Sequence, residues 1–141
     1  MKKILLINGA NMNLLGLREP DKLGSATLEE INREVIDYSK GLGIEVDTYQ
    51  SNHEGDIIDR IQQASFEYAG VIINPGSFGH YSVGIKEAIS TLSIPCIEVH
   101  LANFFRNPGN QSTIAPVCTG MISGFGKESY LVAVDTLMKI L

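Results

Sequence analysis

The chain has 141 residues, 44% hydrophobic and 19% charged, the balance of one globular domain with a substantial core and not of a disordered segment. A net charge of −5 and the lack of any Lys/Arg cluster argue against nucleic acid as the main partner, because phosphate binding needs concentrated positive charge. No run approaches the roughly eighteen apolar residues of a membrane span.

The opening MKKILLI carries an apolar stretch of only four residues before Asn8, too short for the core of a secretory signal, so a cytoplasmic location is expected. That stretch, Ile4 to Ile7, reads as a strand covered on both faces. A long polar loop follows, with Asn11, Asn13 and Arg18. From Thr27 the period changes: Leu28, Ile31, Val35, Tyr38 and Leu42 recur at helical spacing, Thr27 with Glu30 makes a capping box, and Gly41 and Gly43 supply the stop. IEVDTYQS is a strand. GDIIDRIQQASFEYAG is a second amphipathic helix with Ile57, Ile58, Ile61 and Ala64 inward. GVIINPG is a short buried strand cut off by Pro75 and Gly76, residues 81–91 read as a third helix, and IPCIEVH is a fourth strand. APVCTGMISG holds a fifth strand, and the last helix runs from about Lys127 to the end. Cys96 and Cys118 lie in apolar runs without metal-ligand spacing and are expected to be buried free thiols.

Strand and helix alternate through short connections, with no repeat or linker, so residues 1–141 form a single α/β domain. The expected architecture is a doubly wound, five-stranded parallel sheet with helices on both faces. Such sheets bind ligands beyond the carboxyl ends of their strands. After strand one come Asn8, Asn11, Asn13 and Arg18; after strand three come Asn74 and then His80; after strand four come Glu98, His100 and Asn103. Glu98 and His100 are two apart, so a regular strand points both to one face, where a carboxylate can fix an imidazole's tautomer. Each of these residues has a plainer reading: an asparagine that forms a turn, a histidine at a helix start, a structural ion pair. Their convergence on one sheet edge points to a site. GANMNLLG is neither a dinucleotide fingerprint nor a Walker loop, GSFGHYSVG contains no nucleophile elbow, and His80 and His100 lack zinc-site spacing.

Five segments, NGANMNLLGLREP, QSNHEGDIIDRI, INPGSFGHYSVGI, IPCIEVHLAN and GFGKESYLVAV, together resemble the type II 3-dehydroquinate dehydratases of the shikimate pathway over nearly the whole chain. The resemblance implies a flavodoxin-like fold, no cofactor, no metal, and trimers gathered into a homo-dodecamer. It implies an anti elimination of water from 3-dehydroquinate to 3-dehydroshikimate through an enolate. By the same matching, His100 is the general acid supported by Glu98, and Arg18 and Asn11 belong with them to the catalytic set. Asn74 orients a water at the enolate, His80 binds a substrate hydroxyl, and the backbone amides of Leu101 and Ala102 cradle the substrate carboxylate. Glu87 stands where the family often carries an acid that reaches a neighbouring subunit's site.

The chain departs from the family pattern in three places. The family's base is a tyrosine just before a glycine past REP, and EPDKLGS places Leu23 there. The arginine that precedes a His-Ser pair is replaced in FFRNPGNQS, where Asn110 and Gln111 stand for the basic pair. Ala102 stands for a serine. Tyr81 and Arg106 are the candidates to compensate; Lys22 adjoins Leu23, but an ordinary ammonium has no lone pair with which to take a proton. Three readings follow: a type II dehydratase, slowed or with a moved base; a weak or inactive paralogue that binds a hydroxylated cyclic carboxylate; and a flavodoxin-like domain for a nucleotide or flavin.

Overall fold

The computed structural model describes residues 2–141. Five parallel strands, β1 (Lys2–Asn8), β2 (Ile44–Gln50), β3 (Gly70–Asn74), β4 (Cys96–His100) and β5 (Gly120–Ser123), lie in the order β2-β1-β3-β4-β5. This is the flavodoxin-like order, and it places the topological switch between β1 and β3. The helices are α1 (Pro20–Leu23), α2 (Leu28–Gly41), α3 (Glu54–Glu67), α4 (Val83–Ser90) and α5 (Glu128–Ile140).

Alternation along the strands builds two cores. Ile4, Leu6, Ile72, Ile97 and Val99 face the side covered by α2 and α5, where Ile31, Val35, Tyr130 and Val134 meet them. Leu5, Ile7, Val71 and Ile73 face α3 and α4, against Ile57, Ile61, Ile85 and Ile89. Every residue of β3 is buried, as a central strand covered on both faces requires. Each such isoleucine contributes about 2 to 3 kcal/mol of burial.

The capping box at α2 is present: the Glu30 amide donates to Thr27 Oγ1 at 3.1 Å and the Thr27 amide to Glu30 Oε1 at 3.2 Å. The third helix starts at Val83, later than residue 81, because Gly76–His80 turns as a 3-10 helix and Ser82 then caps α4, accepting from the Ile85 amide at 3.0 Å. Tyr38 and Leu42 leave the buried stripe of α2, each 38% exposed. The Tyr38 hydroxyl instead donates to Asp135 on α5 at 2.7 Å. Ile58 is only partly buried, and so is Cys118, whereas Cys96 is buried; both thiols are free. Helix α1 was not expected from the sequence. It is one turn long and has no buried residue. Among the described residues, no helix is long and apolar enough to cross a membrane.

Candidate active site

The ends of β1 and β3 are locked at close quarters. The Gly9 amide donates to the Asn74 carbonyl at 2.8 Å, and a Cβ on Gly9 would stand 2.2 Å from the Pro75 carbonyl oxygen. Gly76 takes φ +60, where a Cβ would stand 2.6 Å from the Ala10 carbonyl oxygen. Glycine is demanded at both places, so that the two loops can interleave at the switch point.

Above this joint lies a cavity of about 210 Å³. Arg18 enters from the loop after β1, Asn74 from the end of β3, His80 from the turn before α4, and His100 from the end of β4. Leu101 and Ala102 continue the wall past β4. Because β3 stops at Asn74, the chain beyond His100 has no strand beside it there. Among the described residues, the amides of Leu101 and Ala102 have no hydrogen-bond acceptor, which leaves two N–H groups for an anion. Arg18 makes no ion pair among the described residues.

The imidazoles are held differently. His100 Nε2 lies 2.5 Å from Glu98 Oε2, and Glu98 is fully buried. The Ser112 hydroxyl lies 2.8 Å from both Glu98 oxygens, so the buried carboxylate is satisfied by an imidazole and a hydroxyl. With Nε2 directed to Glu98, His100 keeps Nδ1 for a ligand. His80 Nδ1 lies 3.0 Å from the Gln111 carbonyl oxygen, an acceptor only, so Nδ1 donates and Nε2 is free. The Phe104 ring packs against both imidazoles, with centroids 5.6 Å from His80 and 4.4 Å from His100.

Residues 2–138 match the family model Dehydroquinase class II. The chain belongs to that family. It is 49% identical to the 3-dehydroquinate dehydratase of Caldicellulosiruptor bescii over all of this chain and 99% of the relative. Among solved structures, the type II dehydroquinase from Butyrivibrio crossotus matches with a TM-score of 0.92 at 43% identity, covering 97% of each chain. That from Propionibacterium acnes matches with a TM-score of 0.95 at 34% identity, covering 99% of this chain and 97% of that one.

Within this dehydroquinase fold, six of the residues singled out from the sequence line one cavity: Arg18, Asn74, His80, His100, Leu101 and Ala102. Glu98 stands directly behind His100. Asn11 lies outside the cavity lining: it is exposed, takes φ 65, and its amide donates to Asn52 Oδ1 at 2.9 Å. Glu87 is exposed on α4, away from the cavity of its own chain. Leu23, at the end of α1, both lines the cavity and packs on the α2/α5 core. Asn110 also lines it, its side-chain amide donating to the Phe104 carbonyl at 2.7 Å. Neither candidate for compensation reaches the cavity. Tyr81 is 58% exposed, and Arg106, with Lys22, lines an adjoining cavity of about 750 Å³ that shares Leu23, Leu101, Ala102, Asn103 and Asn110 with the first.

Two groups that hold the site's side chains escaped the sequence reading. Ser112, the second partner of Glu98, sits in a loop with no periodic pattern. Tyr130 is buried under the site, its hydroxyl joined to Asn8 and Asn74. Its sequence signal is that of an ordinary core aromatic on α5. Burial pushes its phenol well above the ordinary tyrosine range, so Tyr130 is no substitute for the missing base.

Proposed function

We propose that this chain is a type II 3-dehydroquinate dehydratase, a hydro-lyase of the shikimate pathway that removes water from 3-dehydroquinate in the anti sense through an enolate. The observation that carries the reading is the meeting of Arg18, Asn74, His80 and the Glu98-backed His100 in one cavity at the switch point of a dehydroquinase fold. The substrate carboxylate takes the free amides of Leu101 and Ala102. His80 Nε2 faces a ring hydroxyl. The Asn74 amide and a water it orients meet the enolate oxygen, and the Arg18 guanidinium neutralises charge that develops on the ring. His100 gives its proton to the departing hydroxyl, and Glu98 holds the imidazole in the orientation that makes this possible. Asn11, held by Asn52, completes the catalytic set once the polar loop closes on substrate. The carboxylate, the ring hydroxyl and protonation of the leaving group are served by side chains and amides of the protein, and the reaction as drawn calls for no cofactor or metal.

The weak point is proton removal. Among the described residues no phenol, carboxylate or amine lines the cavity, and by the family matching Leu23, which lines it, stands in the place of the tyrosine. Only solvent and imidazole can take the α-proton. Loss of a positioned base costs about 10² to 10⁴ in rate, so turnover is expected to lie that far below an ordinary member of the family.

The apolar wall at Leu23 favours one second reading, a paralogue that binds a hydroxylated cyclic carboxylate without converting it. An ultraviolet assay of enone formation, run beside calorimetric titration with 3-dehydroquinate, separates the two. The enzyme reading expects slow product formation that disappears in His100→Ala, since the leaving hydroxyl then has no acid. Binding without any product would establish the second reading in its place.

As in the rest of the family reading, the working particle is proposed to be a cytoplasmic homo-dodecamer of trimers. Glu87, idle in its own chain, would then face the pocket of a neighbour.

A further inference from the structure

Beneath the cavity, buried polar side chains from three elements form one hydrogen-bonded chain. Asn8 closes β1 and Asn74 closes β3, and the two are register partners, so their side chains leave the same face of the sheet. Tyr130 enters from the first turn of α5 and is fully buried. Its hydroxyl donates to Asn8 Oδ1 at 2.6 Å and accepts from Asn74 Nδ2 at 3.1 Å. Asn74 Oδ1 in turn accepts from the Gly76 amide at 3.2 Å.

A primary amide at a cavity wall can present either an oxygen or a nitrogen, and the two have opposite chemistry. Here Asn8 takes the only proton of the phenol, so the phenol oxygen can act towards Asn74 solely as an acceptor. A flipped Asn74 would set its oxygen against the Tyr130 oxygen and its nitrogen against the Gly76 N–H, two repulsive contacts in a buried site. We propose that Tyr130 is a positioning residue: its hydroxyl locks the Asn74 amide so that an N–H, and not a carbonyl oxygen, faces the oxygen of the bound substrate or of its ordered water. Because burial keeps the phenol protonated well past neutrality, the lock holds across the working pH range. The inference rests on the proposed function only for the identity of the ligand.

Tyr130→Phe keeps the ring and deletes the oxygen. In the ligand-free, ¹⁵N-labelled protein, the Asn74 side-chain amide is identified by its loss in Asn74→Ala. Its protons are expected to exchange with solvent at least about tenfold faster in Tyr130→Phe, while the backbone amides of β3 keep their protection. Calorimetry with 3-dehydroquinate then closes a cycle of wild type, Tyr130→Phe, Asn74→Ala and the double variant. Tyr130→Phe is expected to weaken binding about tenfold when Asn74 is present and less than about twofold in the Asn74→Ala background. Unchanged side-chain exchange, or equal weakening in both backgrounds, overturns the proposal. If wild type does not bind 3-dehydroquinate, the functional reading has failed, and the exchange experiment still decides the positioning role. Should Tyr130→Phe not fold, wild type must show a slowly exchanging Tyr130 hydroxyl proton with a cross-peak to the Asn74 Nδ2 protons; its absence also overturns the proposal.

Discussion

Position 23 shows how far one side chain can set the chemistry of an otherwise intact cavity. Leu23 lines the cavity with an alkyl group, where the family resemblance expects a phenol, and it does so from a wall shared with the core. Leu23→Tyr is therefore expected to raise dehydration by about 10² or more in the ultraviolet assay, with Leu23→Phe as the size control that gains nothing. No gain in the tyrosine variant would mean that α1 does not present this position to the substrate. A second phenol bears on stability. Tyr68 is pushed up to about 12 by burial and then by its hydrogen bond to Asp47, 2.6 Å long. The folded state thus holds this proton more tightly than the unfolded chain, whose phenol ionises near pH 10. The stabilisation is complete below about pH 10 and is lost as pH rises to about 12, by about 2 to 3 kcal/mol. Urea titrations across that window should show the loss, and Tyr68→Phe should make it smaller by about that amount, leaving the part that belongs to the buried Tyr130 phenol; an equal decline in the variant would place the alkaline sensitivity elsewhere. Single residues were legible in the sequence where they ended strands. Asn74 and His100 could be read from position, and Glu98 from its spacing to His100. Tyr130 could not, because its partner Asn8 is 122 residues away and only the packing of α5 brings them together.

Among the elements, the joint between the β1 and β3 loops carries the site. Asn8 and Asn74 are held in register by a parallel pairing that continues through Gly9 into the loops. Gly9→Ala would drive a methyl group into the Pro75 backbone, which is not the end of a flexible side chain and cannot step aside. A loss of about 3 kcal/mol in urea unfolding is expected, together with loss of ligand binding, because the cavity wall at Asn74 and Gly76 must move. Stability within about 0.5 kcal/mol of wild type would show that the joint is softer than its contacts imply. The sequence displayed most of this scale. Strand periodicity, the Thr27–Glu30 box and the Gly and Pro stops predicted the strands and four of the five helices. Periodicity failed at the flanks, where Tyr38 reaches sideways to Asp135 instead of inward, and at α1, too short to show a period at all.

At the scale of the whole molecule, the face around the start of α4 is unusual for a protein that carries −5 net charge. Tyr81, Val83 and Phe105 are 58%, 59% and 64% exposed. Glu87, on the same helix, is exposed as well. If this face joins subunits, Val83→Asp should shift the protein from a large particle to the 15.4 kDa chain or small oligomers in sedimentation velocity. An unchanged sedimentation coefficient would assign the face another use. Assembly is expected from the sequence only through family resemblance, since exposure of an aromatic depends on a surface that periodicity does not describe.

The one-turn helix α1 has a mechanical consequence. It hangs between Gly16 and Gly24, both at positive φ, and buries none of its residues. Swinging it away re-wets little more than half a leucine, on the order of 1 kcal/mol. The hold of this helix on the molecule therefore resides largely in Leu23, which serves it as a greasy latch. A tyrosine installed there would supply a phenol but loosen the latch, so faster chemistry should come with a less firmly anchored helix.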